Sequence, residues 1–324
     1  MSPFRIWSSQ MDRLDVMIYR ELFHGSTGPP LESDIRKSFR STAKKLHIDE
    51  VTIRNRVGKL RKSGFLKGLR LVVHPSLLGV RFGQLWFQVR HSSGKDDAIR
   101  KLSLMSGVLV IADYYGSGLT VVFIYESEAF AKKEIELIAK ISNAESLVSV
   151  HIPFPECVID LAPSDWRIIK AIQTNPRQSY SAISAQAGIS MKTAKRRLHR
   201  MIQGRALFVV PSINPKALHG AIIADLVVQY ADPKAKADVD RRIVSQLEKL
   251  LLRAELLGTE HSFFNFVISN IAEANETLSW AKQQPGVQSA FLELVQDRIE
   301  FYEAMNEHVE KRLAERSASI KAPR

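Results

Sequence analysis

The chain has 324 residues, 45% hydrophobic and 25% charged, with 46 Lys and Arg against 34 Asp and Glu. That length predicts two or more domains, each with its own core, and the net charge of +12 with a pI near 9.7 points to a polyanionic partner. No run approaches the roughly 18 apolar residues of a membrane span; the single cysteine, Cys157, excludes an internal disulfide and a cysteine-based zinc site. The nine histidines form no HxH or HxxxH pair, so neither a metal nor a cofactor is expected. Met1–Gln10 has no apolar core of signal-peptide length, and the chain reads as cytoplasmic and nucleoid-associated.

In chain order, Leu14, Ile18 and Leu22 recur at helical spacing, and Gly25, Gly28, Pro29 and Pro30 end that helix. Ser33 or Asp34 caps a second helix running to about Leu46, and Asp49 caps a third. On the third, Ile53, Val57 and Leu60 form one buried stripe. Glu50, Thr52, Arg54, Asn55 and Lys59 are then exposed, with Arg56 and Arg61 on the flank. Ser63-Gly64 closes the helix, and Phe65–Val73 reads as a wing of two short strands around Gly68. From Arg36 to Arg70 there are twelve Lys and Arg against two acids, Asp49 and Glu50.

Helix, turn, basic helix and wing is a shape that fits a DNA major groove about 12 Å wide. Arginine and asparagine make bidentate contacts to guanine and adenine, which marks Arg54 and Asn55 for bases. Lys44, Lys45, Arg61, Lys62 and Lys67 are placed for phosphate.

Strands follow at Arg81–Arg90, Val108–Tyr115, Leu119–Glu126 and Leu147–Ile152, with helices at about Lys95–Met105 and Ser127–Ile141. The sequence then repeats itself. Ala43–Val57 aligns without a gap to Ser184–Leu198, 141 positions on, and Val73-His-Pro75 matches Ile213-Asn-Pro215. The second basic helix starts at Ser190 and buries Ala194, Leu198 and Met201. Its other faces carry Lys192, Thr193, Lys195, Arg196, Arg197 and Arg200 with no acid; its wing, Arg205–Pro211, is weaker. Strands at Ile222–Tyr230, Arg253–Gly258, Ser262–Ser269 and Val287–Leu294 follow, with helices at about Ala235–Leu251 and Ile271–Gln283. The fold class read here is α+β: a tandem duplication of a winged helix-turn-helix and a ferredoxin-like βαββαβ domain. The expected boundaries are 11–75 and 76–157 for the first copy, 163–212 and 213–298 for the second. A C-terminal amphipathic helix over 299–316 carries Phe301, Met305, Val309 and Leu313 at spacings of four, and Ser317–Arg324 look frayed.

Four blocks carry a resemblance: Leu14-Asp15, Ile48–Val57, Ser63-Gly-Phe-Leu-Lys-Gly68 and His74-Pro-Ser-Leu-Leu-Gly79. In this order, ahead of βαββαβ, they resemble the Lrp/AsnC family of feast/famine regulators. That resemblance implies a regulator of transcription acting on double-stranded DNA. It also implies sheet domains that pair, here as a pseudo-dimer within one chain or as a homodimer of chains. It further implies a small-molecule effector, an amino acid or relative, at glycine turns between the second and third strands. The candidates are Gly116 and Gly118 in the first copy and Gly258 and Thr259 in the second; the aspartate that commonly follows in the family is absent from both turns.

Two other readings compete. An architectural protein coating DNA needs the basic surface but not the exposed Thr52 and Asn55. A siroheme decarboxylase-like enzyme has the same architecture but places histidines in its sheet domain, where this chain reads Gly83-Gln-Leu-Trp-Phe87. No nucleophile triad, P-loop or dinucleotide motif appears, and catalysis is not expected.

Overall fold

The computed structural model describes residues 11–23, 34–255 and 260–321. Three helices come first, α1 (Arg13–Phe23), α2 (Phe39–Leu46) and α3 (Glu50–Lys62), then β1 (Leu66–Val73) and the one-turn α4 (Pro75–Leu78). Next are β2 (Arg81–Val89), α5 (Lys95–Leu102), β3 (Val108–Tyr114), β4 (Gly118–Tyr125), α6 (Glu128–Ser142) and β5 (Ala144–Ile152). The order then recurs as α7 (Pro163–Ile172), α8 (Tyr180–Ala187), α9 (Met191–Gln203) and β6 (Leu207–Ile213). It continues through β7 (Ile222–Tyr230), α10 (Lys236–Gln246), β8 (Leu250–Glu255), β9 (His261–Ile268), α11 (Ile271–Lys282) and β10 (Val287–Glu300), and α12 (Glu303–Lys321) ends it.

The strands form one eight-stranded antiparallel sheet, β5-β2-β4-β3-β10-β7-β9-β8. Each half has its own four strands in ferredoxin-like order, the fourth beside the first and the third beside the second. Strand β10 joins them. Its 14 residues pair with β7 through Leu294 and with β3 from Val295 onward. The apolar residues that alternate along β2 (Leu85, Phe87, Val89) pack under α5 and α6; those along β7 (Ala224, Leu226, Val228, Tyr230) pack under α10 and α11.

The intervening residues point the other way. Trp86 and Val150 from the first half meet Val227 and Phe263 from the second, with the Trp86 and Phe263 ring centroids 5.6 Å apart. Beside them a buried polar cluster crosses the seam. Tyr114 Oη donates to Asp225 Oδ2 at 2.6 Å, and Asn265 Nδ2 donates to Asp225 Oδ1 at 2.5 Å.

The two helical heads are crossed over this sheet. The first, α1 to α3, shares its core with Ile223, Leu251 and Val267 of the second half; the second, α7 to α9, shares its core with Phe82, Leu109 and Ile124 of the first half. The crossing is made by β1 and β6, which form a separate two-stranded antiparallel ribbon running from Leu66↔Ile213 to Val73↔Leu207. The expected wings are therefore corrected. Phe65–Val73 and Arg205–Pro211 do not fold back as hairpins. Gly68 sits at a register shift within a continuous strand and does not turn the chain. A run with Leu66, Leu69, Leu71, Val72 and Val73 all buried is satisfied by a partner strand from the other head.

Smaller corrections follow the same logic. Helix α2 is capped by Ser38, which accepts from Ser41 N at 3.0 Å, rather than by Asp34; Ser33 and the loop Gly25–Pro30 lie outside the described residues. Helix α10 stops at Gln246, and β8 begins at Leu250, because the apolar run from Leu250 joins the sheet beside β9. Asp297–Glu300 belong to β10, so the terminal helix starts at Glu303 rather than 299, and it reaches Lys321. Met305 and Val309 bury it against the second head, and Arg312 donates to Leu78 O at 3.1 Å.

Asp225 makes the seam sensitive to pH. Burial pushes its carboxyl up to about 6, against the opposing hydrogen bonds from Tyr114 and Asn265. A carboxyl raised on folding stabilises fully below its unfolded value near 4 and loses that contribution as pH rises through about 6. Urea unfolding between pH 4 and 7 should show the native chain losing on the order of 2–3 kcal/mol relative to Asp225→Asn. Parallel pH curves would contradict this.

Candidate nucleic-acid interface

Each head is built by the same local rules. The turn between α2 and α3 closes with His47 in the left-handed conformation (φ 54°), and that between α8 and α9 with Gly188 (φ 62°). Ser184 Oγ donates to Ile189 O at 2.6 Å in the second turn. Helix α9 is capped by Ser190, which accepts from Thr193 N at 3.2 Å and donates to the Thr193 hydroxyl at 2.9 Å. Asp49 occupies the cap position of α3 in extended conformation but makes no side-chain capping bond. Ile53, Val57 and Leu60, and Ala194, Leu198 and Met201, are the buried stripes, as their spacing requires.

A buried carboxylate orients each third helix. Asp15 on α1 is fully buried and receives Arg56 at 3.1 Å; Asp165 on α7 is fully buried and receives Arg197 at 3.1 Å and Arg200 at 2.7 Å. Asp165 also accepts from Ala162 N at 2.8 Å, and Asp15 N donates to Asp12 Oδ1 at 2.8 Å. Arg56 reaches Asp12 as well, and despite partial burial the Asp12 carboxyl is held below its usual range by that arginine. Sequence reasoning placed Arg197 and Arg200 with the exposed cations of α9. The structure turns both back onto α7.

The remaining candidates fall into three groups. Arg54, Asn55, Arg61 and Lys62 are exposed on one face of α3, and Lys192, Lys195 and Arg196 on α9. Thr52, Thr193 and Lys59 are half-buried on the same helices, and Lys44 and Lys67 are exposed beside α3. Others are engaged: Glu50 holds Arg54 at 2.7 Å in an i,i+4 pair, the Arg54 guanidinium lies 5.7 Å from the Phe39 ring centre, and Lys45 meets the buried Glu21 at 2.8 Å. Lys37 joins that carboxylate at 2.6 Å. Burial works to raise Glu21, but the two lysines hold it below its usual range.

The first glycine turn is a constructed feature. Gly116 takes φ +91°. The buried Lys95 pairs with Asp113 at 2.5 Å and donates to the carbonyls of Tyr114 and of Gly116, the latter at 2.8 Å. Next to it, between the sheet halves, lies a cavity of about 230 Å³ whose polar side chains are Gln88, Tyr114, Ser146 and Glu293. Burial pushes the Glu293 carboxyl up. Gly258 and Thr259 lie outside the described residues. Among the described residues no cluster of three His, Cys, Asp or Glu is placed to hold a metal ion, and no helix is long and apolar enough to cross a membrane.

Comparison with known proteins bears on this geometry. Residues 163–202 match the AsnC-type helix-turn-helix domain. The chain is 36% identical over 69 residues to the HTH-type transcriptional regulator Ptr1 of Methanocaldococcus jannaschii, a match covering 21% of this chain and 40% of that protein. It is 29% identical over 132 residues to the regulatory protein AsnC of Haemophilus influenzae, covering 38% of this chain and 86% of that one. Its fold is similar to the crystal structure of the siroheme decarboxylase NirDL in complex with an iron-uroporphyrin III analogue, at a TM-score of 0.56 and 12% identity, over 96% of this chain and 100% of that one.

If Asp165 sets the pose of α9, Asp165→Asn should cost about 3–4 kcal/mol in urea unfolding. That is the lower part of the range for breaking a buried ion pair, because both arginines can swing into water. Asp15→Asn should behave alike in the first head. Losses under about 0.5 kcal/mol in both variants would show that the pairs are incidental.

Proposed function

We propose that the chain is a member of the Lrp/AsnC family and a sequence-specific regulator of transcription whose two unlike heads read double-stranded DNA, a reading supported by the matches of its second head and of its sequence to such regulators. The observation that carries this reading is the pair of basic helix faces. Arg54 and Asn55 on α3, and Lys192, Lys195 and Arg196 on α9, face solvent from helices whose opposite stripes are fully packed. A helix so presented enters a major groove with its first turns at the base edges. Arg54 exchanges Glu50 for guanine; Asn55 suits adenine; Lys44, Lys62 and Lys67 take phosphates.

In this reading the chain is two copies of one module, with boundaries near 11–75, 76–157, 163–212 and 213–298, fused into a covalent pseudo-dimer. Unlike heads call for an asymmetric site, with half-sites spaced by one helical turn of about 34 Å or a multiple. Pairing of two chains brings four heads to one DNA. The cavity beside the Gly116–Gly118 turn is the place for a small-molecule effector, since Glu293 and the seam residue Tyr114 both line it.

A tetrapyrrole enzyme is the second reading, motivated by the whole-length likeness in fold to NirDL. Among the described residues, no imidazole lines the inter-sheet cavity of this chain. An absorption spectrum after incubation with an iron-porphyrin separates the two: a stoichiometric Soret shift supports the enzyme, and its absence supports the regulator.

The regulator reading is checked by variants on the duplex the chain prefers and on a scrambled one. Arg54→Ala and Asn55→Ala should each lose roughly 1–3 kcal/mol on the preferred duplex and far less on the scrambled one, while Lys62→Ala weakens both alike. Equal losses on both duplexes for all three variants would remove base reading and leave a protein that coats DNA.

A further inference from the structure

Between the heads lies a groove of about 390 Å³ whose walls come from both. The first head contributes Arg61, from the last turn of α3, and Lys67, from the start of β1; the second contributes Thr174, Asn175 and Arg177, from the loop joining α7 to α8. Arg61 stands on the solvent face of α3 in line with Arg54 and Gly58, so the groove continues the base-reading face toward the second head. The loop is set rather than floppy: Arg177 N donates to Asn175 Oδ1 at 3.2 Å, Pro176 is buried, and the Arg177 guanidinium lies 5.9 Å from the ring centre of Phe23 on α1.

The corresponding positions on the other side of the ribbon do not repeat this chemistry. Ile202 stands where α3 has Arg61, and β6 opens with Leu207-Phe208 where β1 opens with Leu66-Lys67. Asp34 stands where the loop has Asn175. Arg36 takes the place of Arg177 and lies 4.5 Å from the ring centre of Tyr180, and Arg205 replaces Gly64. Among the described residues at these positions, one side thus gathers three cations and no acid, the other two cations and an acid.

We propose that the groove of Arg61, Lys67 and Arg177 seats a backbone phosphate of the DNA segment that spans the two heads, on one side of the site only. This rests on the DNA-binding reading and adds Arg177, a residue outside both recognition helices, to the interface. The clamp fixes which way round the chain sits on its site, because the pseudo-symmetric position lacks it.

The test uses the full chain and the duplex it prefers, with Lys67→Gln, Arg177→Gln, the double variant, and Arg36→Gln as the control at the corresponding position. Affinity is measured against salt, and the phosphates touched are mapped by ethylation interference. The double variant should lower the slope of log K against log salt by about 0.9 for each phosphate it no longer neutralises. It should also lose interference at one or two spacer phosphates on one side of the site and keep the same preferred bases. Arg36→Gln should match the native chain in both measurements. Lys67 is exposed on the strand surface, so Lys67→Gln keeps the test sharp if Arg177→Gln melts its head. Native slope and interference in the variants, or an equal change in Arg36→Gln, would overturn the groove while leaving the DNA reading intact. A native chain that binds no DNA would overturn both.

Discussion

The pairing of β1 with β6 is the constraint on which the molecule turns. Each strand leaves its own head and is too apolar to lie on the surface: of β6, all but Val210 is buried. Each therefore needs a partner, and the register Leu69↔Pro211 supplies it from the other head. Once the strands cross, each head must land on the sheet half of the other. The helices of both heads then become part of the same cores as β2 to β4 and β7 to β9. The heads are thus held by the whole fold rather than by a hinge, and the spacing of α3 and α9 is a property of the sheet.

Within that frame, what repeats and what differs are physically distinct. The repeated parts are those that position the third helix: a buried aspartate on the first helix, an arginine 41 positions or 32 positions later that reaches it, and a left-handed residue in the turn. The parts that differ face solvent or the seam. Asp225 and Asn265 occupy the seam in the second half, where the first half has Gln84 and Val122 across the corresponding strand pair. The basic groove exists on one side of the ribbon. The same arrangement thus recurs with two different surfaces, and the crossed heads keep those surfaces in a fixed relation.

Much of this was legible in the sequence. The period-two runs gave β2, β3, β4, β7 and β9 to within a residue or so, and the period-3.6 stripes gave α3, α6, α9 and α11. The wing was not legible, because Gly68 signals a turn only locally and the strand that overrides it lies far along the chain. The end of α10 failed for a related reason: Leu247, Leu250 and Leu251 fit a helix as well as a strand until β9 is there to pair with. At the candidate interface, counting charge could not separate Arg197 and Arg200, held by Asp165, from Lys195 and Arg196, which face water. A signal was available: Asp15 and Asp165 recur with Arg56 and Arg197, as partners do. Arg177 carried no signal at all, since only the fold brings it into one groove with Lys67 of the other head.

The most direct test of the central claim is the sequence preference of the intact chain, selected from random double-stranded DNA at about 150 mM salt, where nonspecific binding is suppressed. The account predicts an enriched motif with two different halves at a fixed spacing near one helical turn or a multiple. No enriched motif, with binding that only fades as salt rises, would contradict it.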